Sequence, residues 1–277
     1  MTRFLIINAD DYGWDKDINK ACHSLALHGS LTSVSAMAGC IESLDDCRFQ
    51  TNEGRAVSVG VHLNISTGKP VSPQTKNSAL VNLETGYFKA INLNNLSSFM
   101  LSLRKRDIAH EFDAQIETVL SKAERISHLD THHHVARLPT IAIEVAEAAQ
   151  RHGISRVRTP RGSSGKLLPA HRRFVIGLNE RIYSSRKLCF PVVRFGIPKV
   201  ESWQDFERLF RCYASDGVWG EQSTAELSCH PSLGGGVLNQ SPEMQQRRRS
   251  DFSILSDERF LSLLAELSIE RVSYNDL

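Results

Sequence analysis

Apolar and polar residues fall along the chain in blocks that predict strands followed by helices. Residues 4–8 form a continuous apolar run, which is typical of a strand buried on both faces of a parallel sheet. Residues 15–28 then place apolar side chains at helical spacing, and Gly29 ends that helix. The same order returns along the chain, with further strands predicted at 31–37, 56–65, 126–131, 155–159, within 221–229 and at 271–274.

This alternation predicts an α/β fold with largely parallel strands and right-handed crossovers. About seven strands in 277 residues favour a distorted (β/α) barrel in a single domain, 1–277. Among the helices, Asp107 is expected to cap one, Pro139 to lie in the first turn of another, and 41–49 to form a short one.

Two segments interrupt the pattern. Residues 66–103 are rich in glycine, proline and asparagine, which predicts a loop excursion near the functional site. Residues 162–200 resist assignment and look like a basic insertion.

The composition narrows the functional class only slightly. Hydrophobic residues make up 41% and charged residues 23%, as in ordinary globular proteins, and the net charge of +2 suggests no nucleic-acid partner. The six cysteines contain no C-x-x-C pair and fit reduced thiols in the cytoplasm. The first apolar run is too short for a signal peptide, and no stretch reaches the length of a membrane span. A homodimer is expected only because dimers are the commonest assemblies of soluble proteins.

Charge is unevenly distributed. Residues 151–199 contain twelve basic residues and one acidic residue, Glu180. Such a region attracts anions, and the apolar residues within 170–200 predict peripheral contact with a membrane. The alternative is a solvated basic face over an ordinary core helix. A later basic run, 247–249, is predicted to be a solvated helix face.

Carboxylates and imidazoles recur at four predicted strand ends. They are Asp10 and Asp11, His62, His132 and His230. Because the carboxyl ends of strands meet on one side of a barrel, these side chains are expected to converge. One carboxylate and two imidazoles can hold a divalent metal with an open position for water. The second carboxylate can act as general base, and His230 lies where it could protonate a leaving amine.

The motifs at these strand ends carry a family resemblance. They read NADDYG at 8–13, GVHL at 60–63, HLDTHHHV at 128–135 and CHP at 229–231. At these positions the chain resembles the YdjC-like carbohydrate deacetylases, which include chitooligosaccharide and hopanoid-associated deacetylases. The resemblance implies a distorted (β/α) barrel that hydrolyses an N-acetyl group on a sugar and releases acetate. Ala136 departs from the pattern, because a further histidine often follows the triple histidine.

The resemblance also implies roles for individual residues. Asp11, His62 and His132 would bind the metal, Asp10 would be the general base, and His230 would donate a proton or support the oxyanion. The ligand types favour zinc, cobalt, nickel or ferrous iron, whereas the family is often described with magnesium.

The substrate is less well defined by the sequence. Candidate substrate contacts are Tyr12, Asn64, His134 and Arg158, and Asp130 is either a carboxylate that orients a ligand histidine or a cap. The expected substrate is an acetamido sugar, as an oligosaccharide or linked to a lipid or nucleotide, and it could be anionic. Two rival functions stay open: a metal-dependent phosphoesterase and a catalytically silent carbohydrate-binding relative.

Overall fold

Seven parallel strands and seven α-helices form the described part of the chain. The structure is a computed structural model that describes residues 2–277 except 40–46, 53, 55, 90–103, 163–167, 201, 216, 218 and 235–240. The strands are β1 (Arg3–Tyr12), β2 (Ser33–Ala36), β3 (Ser58–Leu63), β4 (Leu129–Thr131), β5 (Val193–Gly196), β6 (Thr224–Cys229) and β7 (Ile269–Val272). The helices are α1 (Lys16–His28), α2 (Lys105–Leu120), α3 (Pro139–Arg151), α4 (Ala170–Ser185), α5 (Trp203–Ser215), α6 (Pro242–Leu255) and α7 (Glu258–Glu266).

The strands curl around β1, which is the longest. The sheet order is β4-β3-β2-β1-β6-β5, and every pairing is parallel. β1 pairs with β6 over Phe4–Ala9, while its first residues also pair with β7 and its last with β2. β1 is buried from Leu5 to Tyr12, as its apolar run predicts.

A short stretch between α3 and α4 joins the two ends of the sheet. We call residues 156–162 the closing segment. Val157 bridges to Leu129 of β4, and Gly162 bridges to Arg194 of β5. The sequence predicts a strand at 155–159, but the structure has only isolated bridges there. The reason is that the chain crosses from the β4 edge of the sheet to the β5 edge instead of pairing along either strand. The expected distorted (β/α) barrel is confirmed, with this segment as its irregular part.

The helix boundaries follow local capping chemistry. Asp15 caps α1 by accepting from the Asp17 amide, and Gly29 ends it at φ 85°, a left-handed conformation that suits glycine. Pro139 opens α3 as expected. The expectation for Asp107 is wrong: α2 begins two residues earlier, and Asp107 lies in its first turn, where a carboxylate favours the positive end of the helix.

The structure adds detail to three segments of the sequence-based prediction. Residues 162–200 contain α4 and β5, and β5 pairs with β6 inside the sheet. Within 66–103, the described part holds a short 3-10 helix at Thr75–Asn77 and a bridge between Val81 and Phe88. The expected helix at 41–49 falls mostly outside the described residues. No helix in the described ranges is long and apolar enough to cross a bilayer.

One glycine is required by close packing inside the barrel. A Cβ on Gly60 would lie 2.2 Å from Cε1 of His128. The His128 ring cannot retreat, because it is buried, stacks on Tyr274 at 3.6 Å between ring centroids, and lies 3.1 Å from the Ser35 hydroxyl.

We therefore expect Gly60→Ala to lower the free energy of unfolding by about 1–3 kcal/mol, the usual cost of overpacking. Gly177→Ala is the matched control, because no atom of the described residues lies within 4 Å of the Cβ it would add. In helix α4 this control should be neutral or stabilise by up to about 1 kcal/mol. Denaturant unfolding measures both, and equal stability of the two variants would contradict the packing argument.

Candidate metal centre

Three side chains from three strand ends meet inside the mouth of the barrel. Asp11, His62 and His132 are all buried, and one potential ligand atom from each lies within 4.8 Å of the others. Oδ1 of Asp11 is 3.5 Å from Nε2 of His62 and 3.2 Å from Nδ1 of His132. This is the same trio that the sequence predicts as metal ligands.

A local change of backbone conformation separates the two adjacent aspartates. The pairing of β1 with β2 is irregular between Ala9 and Tyr12, and Asp11 has a φ of 68°. Aspartate tolerates this left-handed region better than most residues. As a result, Asp10 points toward the closing segment while Asp11 faces the two histidines.

Asp130 orients the His62 ring. Its Oδ1 lies 2.7 Å from Nδ1 of His62, which leaves Nε2 directed at Asp11. Burial disfavours a charged imidazole, but the carboxylates of Asp130 and Asp10 outweigh it and raise the pKa of His62 to about 9. Of the two roles considered for Asp130, the structure therefore supports orientation of a histidine, His62, rather than a cap.

Arg248 balances the charge of Asp11. Its guanidinium contacts Oδ2 of Asp11, the oxygen that faces away from the histidines, and stacks 5.7 Å from the centroid of the Trp14 ring. Although burial raises the pKa of Asp11, Arg248 and His132 hold it well below its ordinary value. The prediction that 247–249 is a solvated face is wrong for Arg248, which is buried. A sequence signal exists: Arg248 lies seven residues before the buried Leu255, and so on the same helix face.

Arg158 is the centre of a second buried network. Its guanidinium bonds both oxygens of Asp10 at 2.6 and 2.9 Å, Oδ2 of Asp130 at 2.5 Å and Oε1 of Glu226 at 2.6 Å. The hydroxyl of Tyr274 donates to the other oxygen of Glu226 at 2.8 Å. The sequence predicts Arg158 as a substrate contact, whereas the structure gives its guanidinium to three carboxylates.

His230 approaches Asp10 from β6. Its Nε2 lies 3.6 Å from Oδ2 of Asp10, and its imidazole is half-buried. The backbone amide of His230 donates to Asp251 at 2.8 Å, and burial raises the pKa of Asp251 to about 7. Sequence patterns did not single out Asp251 or Glu226, because neither belongs to a strand-end motif.

The triple histidine forms a tight turn after β4. His133 and His134 both have a φ of 53°, so the three rings fan out in different directions. His133 packs on His132 at 4.0 Å between centroids and lies 3.0 Å from the Ser66 hydroxyl. His134 instead lines a cavity of about 30 Å³ beside Arg158 and Arg194. Only His132 of the three therefore faces Asp11.

Two of the predicted substrate contacts are used within the fold. Asn64 is buried; its amide donates to the Thr67 carbonyl, and its Oδ1 accepts from the amides of Ser66 and Thr67. Tyr12 is buried, and its hydroxyl lies 3.1 Å from Nε2 of His23. Both side chains thus shape the loops around the mouth.

The donor set fits a divalent cation. Oδ1 of Asp11, the atom that faces both imidazoles, is buried and makes no hydrogen bond within the described ranges. A second acidic group, Asp10 with His62 and Asp130, also has the spacing of a metal site. In that group, however, both carboxylates already bind the Arg158 guanidinium, which makes the trio around Asp11 the better candidate.

Comparison with known proteins identifies the family of the chain. A family model described as YdjC-like protein matches residues 4–266. The chain belongs to this family. A carbohydrate deacetylase of Geobacillus stearothermophilus is 25% identical to this YdjC-like protein over 276 residues, covering 100% of this chain and 98% of its own. A chitooligosaccharide deacetylase of Salmonella paratyphi B is 26% identical over 289 residues, with complete coverage of both chains.

A solved structure supports the fold alone. It is a protein of Enterococcus faecalis whose name proposes cellobiose-phosphate cleavage, with a TM-score of 0.78 and 22% identity. The match covers 100% of this chain and 99% of that one, so the whole barrel is shared.

The network around Arg158 predicts that substitution of Arg158 lowers the free energy of unfolding by an amount that depends on pH. Burial raises the pKa of Asp10, but Arg158 beside it holds that pKa well below its ordinary value. The pair therefore stabilises the fold above the unfolded pKa of about 4, and this stabilisation is lost as the pH falls below it. Arg158→Met should cost about 3–5 kcal/mol at pH 7.

The cost of Arg158→Met should shrink toward pH 4, because carboxylates buried without their cation take up protons more readily. Arg161→Met is the matched control, since Arg161 is exposed and pairs only with Glu180 in the described ranges. It should change stability by less than about 1 kcal/mol at any pH. Urea unfolding from pH 4 to 8 tests this, and a pH-independent cost for Arg158→Met would refute it.

Proposed function

We propose that this YdjC-like protein is a divalent-metal-dependent hydrolase that removes the acetyl group from an acetamido sugar and releases acetate. The observation that carries the proposal is the meeting of Asp11, His62 and His132 with a further carboxylate, Asp10, and a further imidazole, His230, at their side. The names of its full-length relatives support the same reaction.

The trio around Asp11 would hold the ion. A divalent metal bound there would supply Lewis-acid activation of water and charge stabilisation for the developing oxyanion. Two imidazoles and one carboxylate suit zinc or a similar transition metal better than magnesium, which prefers oxygen ligands. His62 is fixed for this role by Asp130, because the carboxylate holds the other ring nitrogen at 2.7 Å.

Asp10 would act as the general base. The Arg158 guanidinium donates to both carboxylate oxygens of Asp10, so the Asp10 carboxylate is held ionised and in one orientation. An ionised, fixed carboxylate beside the reacting water can accept a proton without first reorganising.

His230 would assist departure of the sugar amine. It is the more exposed of the two groups, with Nε2 within 3.6 Å of Asp10. A proton accepted by Asp10 therefore lies next to the imidazole that would deliver a proton to the leaving nitrogen. Its imidazole is only half-buried, so a substrate at the mouth could reach it.

We expect Asp10→Asn to lower kcat for acetate release by about 10²–10⁴-fold, the usual contribution of a general base. Zinc binding should persist, because Asp10 lies outside the trio of ligands. Asp113→Asn serves as control, since Asp113 is a partly exposed partner of Arg151 and His152 on the outer helices, away from the trio. Acetate is measured on a panel of N-acetylated oligosaccharides, lipid-linked sugars and nucleotide sugars. Phosphate release without acetate would instead favour a phosphoesterase, and neither product from any substrate would favour a silent binding relative.

We expect His132→Ala to abolish stoichiometric zinc binding, whereas His133→Ala should retain it. Binding by the unaltered protein should strengthen as the pH rises toward 9, because the ion must displace the proton that His62 carries below its pKa of about 9. Zinc content after dialysis and calorimetric titration at several pH values measure this. Equal zinc content in the two variants would mean that His132 is not a ligand.

A further inference from the structure

Most of the large exposed apolar side chains in the described part of the chain lie around the mouth of the barrel. Nine large apolar residues are exposed in the described part of the chain. Leu27 and Leu120 lie in the last turns of their helices and Val192 directly precedes β5, so these three lie at the end away from the site. The other six lie in the loops that follow a strand or in the first nine residues of a helix, and so nearer the mouth. The six are Leu83, Tyr87, Phe174, Leu178, Leu233 and Met244.

Helix α4 carries the most prominent of these residues. The Phe174 side chain is 71% exposed, and Leu178 lies one turn further along the same side. Arg172 and Arg173 precede Phe174 directly and are exposed. The helix is fixed beside the site, because Asn179 donates to the carbonyls of Ala136 and Arg137 in the turn after β4. Phe174 is thus an apolar residue flanked by cations at the mouth.

A tight turn after β3 repeats this chemistry. The Leu83 side chain is 72% exposed, in a turn that is closed by hydrogen bonds between Asn82 and Tyr87 and between Gly86 and Asn82. The ammonium of Lys69 lies 5.2 Å from the centroid of the Tyr87 ring. Lys69 and Lys89 flank the turn in the sequence, and the turn itself contains one acid, Glu84. Two separate elements at one end of the barrel therefore each present exposed apolar residues together with a cation, Arg172 and Arg173 next to Phe174 in α4 and Lys69 against Tyr87 in the turn.

We propose that the mouth of the barrel docks on an anionic lipid surface, with Phe174 and Leu83 inserted among the headgroups and Arg172 and Arg173 paired with lipid phosphates. The charge argues for this occupant, because apolar residues flanked by cations match the boundary between acyl chains and anionic headgroups. The only acid of α4, Glu180, is already paired with Arg161 at 2.9 Å and does not oppose the approach. This inference goes beyond the proposed deacetylation and does not depend on it.

The test is sedimentation of the full chain with vesicles of phosphatidylcholine alone or mixed with phosphatidylglycerol, without any sugar substrate. The protein should sediment with the anionic vesicles at low salt and be released at about 1 M salt, where the Debye length is about 3 Å. Arg172→Glu/Arg173→Glu should weaken the vesicle partition coefficient by more than about tenfold, since each basic residue near such a surface contributes about fivefold. Phe174→Ser and Leu83→Ser should each weaken it several-fold.

Matched controls come from the opposite end of the barrel. Lys122→Glu/Arg125→Glu changes the net charge equally, and Leu120→Ser removes an apolar side chain that is 44% exposed. Thermal unfolding of every variant shows that each is folded. Docking is supported if these control variants still sediment with the anionic vesicles and the mouth variants do not. Failure of the unaltered protein to sediment at low salt, equal loss in the controls, or a dimer that Phe174→Ser dissociates without any vesicle binding would each overturn the proposal.

Discussion

The ion-pair network of Arg158 is the interaction on which this barrel and its site both depend. The guanidinium lies on the irregular closing segment and joins it to β1, β4 and β6 through Asp10, Asp130 and Glu226. Isolated bridges hold that segment only loosely to its neighbouring strands, so buried charge pairing supplies a constraint that the sheet hydrogen bonds do not. A buried cation with three carboxylates also fixes geometry, because any displacement leaves a charge without a partner.

The two buried arginines organise the candidate metal centre because they pair with different carboxylates. Arg158 takes Asp10 and Asp130, and Arg248 takes the outer oxygen of Asp11. What is left facing the mouth is one oxygen of Asp11 and the two imidazoles, which is the donor set suited to a cation with an open coordination position. The arginines therefore select which of two possible acidic clusters can bind an ion, and they fix the direction of the proposed base.

The mouth adds a second level of organisation. Segments that follow the strand ends supply the site residues, and the same segments carry most of the exposed apolar side chains of the described chain. A hydrolase of acetamido sugars that docks at a lipid surface would face its substrate with this end. The proposed chemistry and the proposed docking concern different residues, so the function of each can be separated from the other.

The sequence by itself determined the barrel and the identity of the five central residues. Continuous apolar runs such as 4–8 fix buried strands, and the motifs at 8–13 and 128–135 mark strand ends, which must converge in a parallel barrel. Only the tertiary structure decided the roles of Arg158, Arg248, Glu226 and Asp251. Their partners lie 21 to 237 residues away in the chain, and no local periodicity encodes which charge meets which. The left-handed backbone at Asp11, which turns adjacent aspartates toward different partners, likewise coincides with irregular pairing of β1 with β2, a strand that is distant in the sequence.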